Sequence, residues 1–541
     1  MPRLQSFAAT SVAAAAGALA FGTATARAAT INVGPGDSYT KIEAAAAGDE
    51  VVIAPGTYGF RVYLTRAAPA GNPIVIRAQD PSNPPIWDLS AGLVENAPGS
   101  YTAGDRGRGC WQLSGATNIH ISGLVITGCH NQDANSAGLR YYNGSTGIVL
   151  SDIVFRANDN GLTGGTQSSE ITVEFSEFDA NGTLLAPTSA PSHNIYIYGG
   201  TFALRYSYAH DPVQGQNFHI RAKQAVIEYN WFSRAKSYAG DLMTDDDDDG
   251  SAPFTQSMTF RGNVIVQGTT QSNASQIIAV YNDAGAAGLT LSVSLLYNTF
   301  IGPSGGHAAL VHLSNADGTT MTADLEDNLI SGTTTATNVE DTAHGTVSGT
   351  HNWLPTGASA TGLAATVFGA DPRFAGAAQN DFTLAAGSPA IGAALAPTTG
   401  APTQEYFRDE TTTRMYRPRA SDKDIGAFES TTSGAGIGPG GTPPATDAGS
   451  LGGGGGTGGP GGGAGVGGHG GTAGSGGSGS SGNAGGGAGQ ASKSSGCSCR
   501  ATAADPVDGW EVGGVLLALL CLLARRSARE SGARPVIPRR G

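Results

Sequence analysis

The chain has 541 residues, of which 83 are glycine and only 13% are charged, and its net charge is −13. This composition excludes a helical bundle and an ordinary α/β enzyme. It favours short strands joined by many turns, with an added low-complexity segment. The acidic balance excludes a nucleic-acid-binding protein, so any site for anions must be local.

The N-terminal residues have the features of a secretory signal peptide. Arg3 precedes an apolar, alanine-rich run over residues 7–21, and residues 26–28, Ala-Arg-Ala, have the small-x-small form of a cleavage site. We therefore expect residues 1–29 to be removed and the mature protein to be exported. The alternative is an N-terminal helix of the protein core.

Residues 31–58, INVGPGDSYTKIEAAAAGDEVVIAPGTY, predict a strand, a short helix and a second strand. The helical part, residues 39–47, can cover the open end of a repetitive β-structure, which would otherwise expose apolar side chains and strand edges. Further along, Cys110 and Cys129 either form a disulfide, which export permits, or remain two buried thiols.

A short pattern of apolar and aromatic residues around Gly, Asp, Ser or Asn recurs along the middle of the chain. The aligned residues are Gly123, Asp152, Ser176, Ser207, Asn230, Asn263, Asn298, Asn328 and Asn352. Their spacing has a minimum near 23 residues and longer steps where loops are inserted, which indicates a solenoid. Stacked turns explain the asparagines, since Asn tolerates the left-handed conformation and can bond to the Asn one coil away. The column is therefore predicted to be structural.

With these features the chain resembles the right-handed parallel β-helix proteins of the pectate-lyase-like superfamily. The opening segment and the Asn coils carry the resemblance over about residues 31–429. It implies an all-β, right-handed parallel β-helix solenoid over residues 30–430 with a short N-terminal capping helix. Residues 370–430 would form the last coils or a C-terminal cap. It also implies a site on the outer face, because the interior is a packed core.

The stretch NFHIRAKQAVIEYN, residues 217–230, alternates apolar residues with three potential cations. Successive side chains of a strand point to opposite faces, so His219, Arg221 and Lys223 are predicted to share the outward face. Alignment with the coil 23 residues earlier places Tyr196 beside His219 and Tyr198 beside Arg221.

The two following coils are predicted to add Asp241 and then Tyr281 to the same face. A slip of one residue would turn Asp241 inward. The predicted site therefore has Lys223, Arg221 and His219 as catalytic residues, and Tyr196, Tyr198, Asp241 and Tyr281 as substrate-binding residues. An ordinary solvated surface is the alternative.

Cations clustered in an acidic chain favour an acidic polysaccharide as the substrate or partner. In β-elimination of a uronate, the carboxylate must be neutralised, a base must take the C5 proton and an acid must protonate the leaving oxygen. Arg221 suits the carboxylate contact. Lys223 is the expected base. A non-catalytic polysaccharide-binding or adhesion protein is the alternative, and a purely structural spacer is the third.

The resemblance bears on this chemistry as well. β-Helix polysaccharide lyases use Lys and Arg as base and acid, which implies such a pair in Lys223 and Arg221. The segment RAK is also similar to the Arg-x-Lys element of β-helix polygalacturonases. Their paired-Asp and Gly-His-Gly elements are missing, so hydrolysis by two carboxylates is less expected than elimination. No complete lyase motif matches residue by residue.

No metal ligand set is assigned, and Ca²⁺ is the cofactor that the sequence leaves open. Asp245 to Asp249 offer five carboxylates, but they lack the alternating spacing of a calcium loop. A solvated acidic loop is the alternative.

Residues 431–495 are rich in Gly and Ser and are predicted to form a disordered linker. Residues 496–541 contain a Gly-Cys motif, an apolar segment at 512–524 and an Arg pair, an order that resembles the MYXO-CTERM sorting tail of surface proteins. This resemblance implies processing by sorting machinery near Cys497 or Cys499, membrane contact through residues 512–524 before processing, and retention at the outer cell surface. A monomer is expected.

Overall fold

The computed structural model describes residues 28–94, 108–132, 134–166, 168–182, 192–244, 255–267, 276–282, 288–302, 309–395, 399–407 and 414–441. All of them belong to one compact unit, Met1–Gly471. The predicted signal peptide up to residue 27, the acidic loop, the linker beyond residue 441 and the sorting tail lie outside the described residues. Among the helices in the described ranges, none has the length and apolar character needed to cross a membrane.

Three long parallel sheets make up the structure. Sheet I contains β1 (Thr30–Val33), β2 (Glu50–Ile53), β5 (Ile74–Ala78), β8 (Ile119–Ser122), β11 (Ile148–Ser151), β14 (Glu170–Glu174), β17 (Thr201–Arg205), β20 (Gln224–Glu228), β23 (Thr255–Arg261), β26 (Thr290–Leu296), β29 (Thr320–Glu326) and β32 (Gly345–Thr350).

Sheet II contains β3 (Thr57–Tyr58), β6 (Ile86–Asp88), β9 (Val125–Thr127), β12 (Val154–Arg156), β15 (Glu177–Asp179), β18 (Tyr208–His210), β21 (Trp231–Ser233), β24 (Val264–Val266), β27 (Thr299–Ile301), β30 (Leu329–Ser331), β33 (Trp353–Pro355) and β34 (Val367–Gly369). Sheet III contains β4 (Val62–Leu64), β7 (Gly109–Ser114), β10 (Ala137–Tyr142), β13 (Asn160–Gly164), β16 (Ile195–Ile197), β19 (Phe218–Ile220), β22 (Gly240–Met243), β25 (Gln276–Tyr281), β28 (Ala309–Ser314) and β31 (Thr337–Val339).

The chain passes through sheets I, II and III in turn, and each strand pairs in parallel with the strand one coil later. The predicted all-β solenoid, a parallel β-helix, is thereby confirmed. One face of each strand points into the coil, where residues such as Ile195, Ile197, Phe218 and Ile220 are fully buried. Burying apolar surface in this way stabilises the fold by about 25 cal/mol per Å². Because the interior is filled, chemistry is confined to the outward faces.

The predicted N-terminal cap is present but shorter than expected. Helix α1 spans Thr40–Glu43, whereas the sequence predicts helix over residues 39–47. Its Ile42 side chain is fully buried in the solenoid core, and Glu43 accepts a hydrogen bond from the backbone N–H of Tyr63 at 2.8 Å. The helix therefore closes the first coil by burying Ile42 and by polar contacts that include those of Glu43 with Tyr63 and Arg66.

The Asn column forms a continuous ladder. The side-chain amide of Asn230 donates to Oδ1 of Asn263 at 3.0 Å, and the same bond joins Asn263 to Asn298 at 3.0 Å, Asn298 to Asn328 at 3.0 Å and Asn328 to Asn352 at 2.9 Å. The structural interpretation of these residues is thus supported by their geometry.

Two details of the predicted column are wrong. The left-handed residue is the one before each Asn, for example Tyr229 (φ 55°) and Tyr297 (φ 53°). In addition, strand register places Leu124 and Ile153 in the column, where the sequence alignment has their neighbours Gly123 and Asp152. The reason is the same in both cases: Gly123 and Asp152 occupy the left-handed position of the turn, with φ of 73° and 55°.

A second Asn ladder, which the sequence analysis does not predict, runs along the turn between sheets II and III. The amide of Asn158 donates to Asn181 at 3.0 Å, that of Asn181 to Asn194 at 2.9 Å and that of Asn194 to Asn217 at 2.9 Å. Asn217 is the residue directly before β19, so this ladder fixes the start of the strand that carries His219.

Cys110 and Cys129 are joined by a disulfide, which settles the choice that the sequence leaves open. The bridge connects β7 to the segment that follows β9, and both cysteines are fully buried.

After the last coil the chain folds back over the outward side of sheet II. This C-terminal segment contains β35 (Phe374–Gly376), a 3₁₀ turn at Ala377–Gln379, β36 (Asp381–Leu384), β37 (Gln404–Phe407) and β38 (Met415–Pro418), with β35–β36 and β37–β38 paired antiparallel. Trp231 of β21 packs against Phe382 and Tyr406, with ring centroids 5.7 and 5.9 Å apart. The predicted C-terminal cap thus covers sheet II.

Candidate functional site

The predicted neighbours of His219 are adjacent to it in sheet III. His219 of β19 pairs in register with Tyr196 of β16 on one side and with Asp241 of β22 on the other. The close approach of β22 to β19 requires Gly240, since a Cβ atom at this position would lie 1.9 Å from the Phe218 ring. The alternation of β22 then buries Leu242 in the core and turns Asp241 to the outward face.

His219 and Arg221 are buried, unlike the residues of a solvated surface. Their exposed fractions are 6% and 5%, and that of Asp241 is 2%. Polar groups that are so far removed from water need partners close by. The outward face of β19 therefore carries a packed polar cluster.

The position of Lys223 requires a correction to the predicted row. β19 ends at Ile220, and the ladder to β16 continues only as far as the Arg221 N–H, which donates to Ile197 O at 2.8 Å. Lys223 lies in the bend before β20 and is exposed. Because the chain turns into sheet I here, Lys223 is at the margin of the buried cluster and is not on the same strand face.

Asp241, His219 and Arg221 form a hydrogen-bonded chain. The Nε–H of Arg221 donates to Nε2 of His219 at 3.2 Å, so this nitrogen acts as the acceptor of a neutral imidazole. The ring proton is then on Nδ1, which lies 3.2 Å from Oδ2 of Asp241. The carboxylate thus fixes the imidazole tautomer, and the imidazole in turn fixes the guanidinium.

Aromatic rings surround this chain. The Tyr196 ring lies edge-on to His219 with centroids 4.3 Å apart, and it lies 4.6 Å from the Tyr198 ring. Arg221 Cζ is 5.8 Å from the Tyr196 centroid, within the range of a cation–π contact. Tyr196 and Tyr198 are half-buried, so they form the solvent-facing layer above the buried cluster.

Burial also sets the protonation behaviour of the cluster. It raises the pKa of the Asp241 carboxyl to about 7, against the opposing effects of His193, Tyr238, Arg221 and Tyr281. His193 packs beside His219 at a centroid distance of 4.7 Å, and burial is the main cause that lowers its pKa to about 3. His193 is therefore neutral at physiological pH, whereas the Asp241 carboxyl titrates close to physiological pH.

We expect Asp241→Asn to remove a pH dependence of stability. Because the pKa of the folded carboxyl is about 7, above its usual value of 3.8, the folded state binds the proton more tightly than the unfolded state. This contribution is fully present below the usual value and is lost as the pH rises to about 7. The charged and titratable groups facing the carboxyl are those of His193, His219, Arg221, Tyr238 and Tyr281.

The measurement is the thermal midpoint of the wild type and of Asp241→Asn from pH 4 to 8. The wild type should lose stability relative to the variant across this range. Asp80→Asn is the control: hydrogen bonds from Ser82 lower the pKa of the exposed Asp80 below its usual value of 3.8, so its titration lies below this range and its curve should stay parallel to that of the wild type. Parallel curves for the wild type and Asp241→Asn would show that Asp241 ionises without hindrance.

Three members of the cluster are missing from the sequence-based prediction: His193, Gln216 and Tyr238. His193 and Gln216 are contributed by the turns before β16 and β19, and the backbone N–H of Gln216 donates to His193 Nδ1 at 3.3 Å. A signal existed for this pair, because they are separated by the same 23 residues as Tyr196 and His219. The predicted residue Tyr281 lies on β25, where it pairs in register with Met243 of β22. The residue of β25 that pairs in register with Asp241 is Ala279.

Two other features of the structure lie apart from this cluster. Ligand-type atoms of Glu177, Asp179 and His210 lie within 4.8 Å of one another on sheet II. Arg156 and Arg414 form ion pairs with these acids, so their charge is already balanced and a metal is not needed there. A cavity of about 310 Å³ is lined by Trp231 of sheet II and by residues of the C-terminal segment, among them Phe382 and Tyr406.

No family model and no curated protein matches the sequence. An alginate lyase from Paenibacillus sp. is similar in structure, at 14% identity and a TM-score of 0.44, over 59% of this chain and 99% of the lyase. Pectate lyase Pel9A is similar at 14% identity and a TM-score of 0.43, over 74% of this chain and 96% of that protein.

An α-1,3-glucanase from Streptomyces thermodiastaticus is also similar, at 15% identity and a TM-score of 0.33, over 62% of this chain and 70% of that protein. The structural neighbours thus include polysaccharide lyases and a glucanase. The parallel β-helix itself is established by the three parallel sheets of this chain.

Proposed function

We propose that the protein acts on an acidic polysaccharide and cleaves it by β-elimination beside a uronate residue. The observation that carries the proposal is the buried chain from Asp241 through His219 to Arg221, beneath Tyr196 and Tyr198. A guanidinium held in place by buried neighbours is a preorganised site for an anion. Charge fixed in advance in this way is commonly the largest contribution to transition-state stabilisation.

In the proposed reaction, Arg221 binds the uronate carboxylate and makes the C5 proton acidic. The Lys223 amine takes that proton, and the electron pair of the C5–H bond forms the double bond between C4 and C5. The bond from C4 to the glycosidic oxygen breaks, and Tyr198 protonates the leaving oxygen. The products are an unsaturated uronate and a chain with a new hydroxyl group.

His219 acts in this scheme as a positioning residue, because its Nε2 already accepts the Nε–H of Arg221. The same contact favours a second candidate function, a non-catalytic polysaccharide-binding protein. An imidazole that fixes the position of an arginine would help to bind an anionic polysaccharide whether or not the polysaccharide is then cleaved.

The deciding experiment incubates the full chain with polyuronates and glycosaminoglycans, with and without Ca²⁺, and follows the ultraviolet absorbance of unsaturated uronate. We expect a rise that is lost in Lys223→Ala and kept in Lys423→Ala, an exposed lysine of the C-terminal segment. A flat trace with retained pull-down of one polysaccharide would replace the enzyme by the binding protein. A flat trace without binding would contradict both.

We further propose that the protein is exported and held at the outer cell surface. The support is the order of segments in the sequence: signal-like residues 1–29, the Gly-rich linker over residues 431–495 and the sorting-type tail over residues 496–541. Mass spectrometry of the surface fraction tests this, since the mature chain should begin at about residue 30.

A further inference from the structure

The outward face of sheet III carries a row of polar side chains that extends well beyond His219. Strand register places Gln112, Arg140, Thr163 and Tyr196 directly beside one another on β7, β10, β13 and β16. The row then continues through His219 to Asp241. Neighbouring strands are about 4.8 Å apart, so the row from Gln112 to Asp241 is about 24 Å long.

The first half of this row contains buried polar atoms without hydrogen-bond partners among the described residues. They are both side-chain polar atoms of Gln112, Nε and Nη1 of Arg140, and Oγ1 of Thr163. Gln112 is 1% exposed and Thr163 is fully buried. An unpartnered buried polar group destabilises the folded state, and a charged one does so more strongly. Three residues with such atoms lie on adjacent strands. A contribution to folding stability does not explain why unpartnered polar atoms are grouped there, whereas a bound ligand would.

The chemistry of these atoms points to one class of ligand. The two Arg140 nitrogens can only donate, the Gln112 amide donates through Nε2, and the Thr163 hydroxyl can do so too. Donors on three adjacent strands, with a positive charge on the middle one, match a carboxylate, which arginine binds through two parallel hydrogen bonds. The Tyr142 ring, 6.0 Å from Arg140 Cζ, supplies an aromatic wall.

We propose that Gln112, Arg140 and Thr163 form a second carboxylate-binding subsite, which holds another uronate of the same polysaccharide. The inference rests on the proposed function for the identity of its ligand. Arg140 is three strands from His219, about 14 Å away along the solenoid. A bound chain would therefore run along the solenoid axis, across the strands, with several sugar residues between β10 and β22.

The test compares Arg140→Met with Arg77→Met, which removes the same charge from sheet I, where Arg77 is half-buried and paired with Glu50. Calorimetry with a linear hexauronide and with a diuronide measures binding to the full chain. We expect Arg140→Met to weaken hexauronide binding at least about 10-fold, the low end for a charge-assisted contact. Diuronide binding at the His219 end and all binding to Arg77→Met should be unchanged.

Arg140→Met is also expected to melt no lower than the wild type, because the buried Nε and Nη1 of Arg140 have no hydrogen-bond partner among the described residues and such groups do not stabilise the fold. Arg140→Lys keeps the charge and should rescue binding only in part, since Lys lacks the two-pronged contact. A role in folding alone would instead lower the melting temperature of Arg140→Met and leave hexauronide affinity intact.

The outcomes separate this subsite from the proposed reaction. Arg140-dependent binding without any turnover would support the subsite and contradict elimination. Turnover with hexauronide affinity equal in Arg140→Met and the wild type would overturn the subsite and leave the reaction standing. A wild-type chain that neither binds nor cleaves hexauronide would overturn both.

Discussion

Replacing Arg221 by lysine is expected to lower kcat/KM for polyuronate cleavage by about 100-fold or more, as the loss of one fixed transition-state donor does elsewhere. The positive charge is retained, but the Nε–H that donates to His219 at 3.2 Å and the planar fork for a carboxylate are both lost. The loss should be mostly in kcat, because the carboxylate gains charge density as the C5 proton leaves. Initial rates of unsaturated-uronate formation measure the effect.

Arg77→Lys is the matched control for this substitution, since it makes the same chemical change on sheet I. It should leave kcat/KM within about twofold, because the Arg77–Glu50 pair lies at the surface of sheet I and its replacement keeps the charge. Arg221→Lys with wild-type kinetics would show that the guanidinium only supports packing. An equal rise in KM with unchanged kcat would assign Arg221 to substrate binding alone.

Replacing Asn263 by alanine is expected to lower the free energy of unfolding by about 3 kcal/mol, the sum of a few hydrogen bonds to buried groups. Its Nδ2 donates to Ile227 O at 2.8 Å and to Asn298 Oδ1 at 3.0 Å. Its Oδ1 accepts the backbone N–H of Asn230 at 3.0 Å. Alanine leaves these buried partners without an alternative. Urea unfolding measures the change.

Asn83→Ala provides the control, because Asn83 lies exposed in a turn near the start of the solenoid. It should change the free energy of unfolding by less than about 0.5 kcal/mol. In a solenoid each coil contacts mainly its neighbours, so hydrogen exchange in Asn263→Ala should rise first in β24 and the adjacent β21 and β27. Uniform exchange along all coils would contradict this local picture of the ladder.

The proposed catalytic residues illustrate where sequence reasoning succeeds and where it ends. A 23-residue period fixes which residues are neighbours in consecutive coils, so Tyr196 and His219 are paired as predicted. The period contains no information on where a strand stops. Lys223 therefore does not share the strand face that the sequence predicts for it, because β19 ends before it and the chain bends toward sheet I.

The sequence by itself determined the solenoid, the Asn column and the neighbourhood of His219. These features are set by local periodicity: a repeating turn requires Asn or Gly, and alternation assigns each strand residue to the inside or the outside. The N-terminal capping helix, which contains Ile42, is also predicted from the sequence. The first coil of a solenoid has an open end, and a short helix with an apolar residue can cover it.

The tertiary structure alone decided which outward face is available and how its groups ionise. The C-terminal segment covers sheet II through contacts such as Trp231 with Tyr406, which connect residues 175 positions apart. Burial of Asp241 and the unpartnered donors of Arg140 depend on the packing of several coils at once. Periodicity specifies which residues are neighbours, but it does not specify how far each side chain is removed from water. The degree of burial decides the pKa values and the hydrogen-bonding needs of the polar residues on this face.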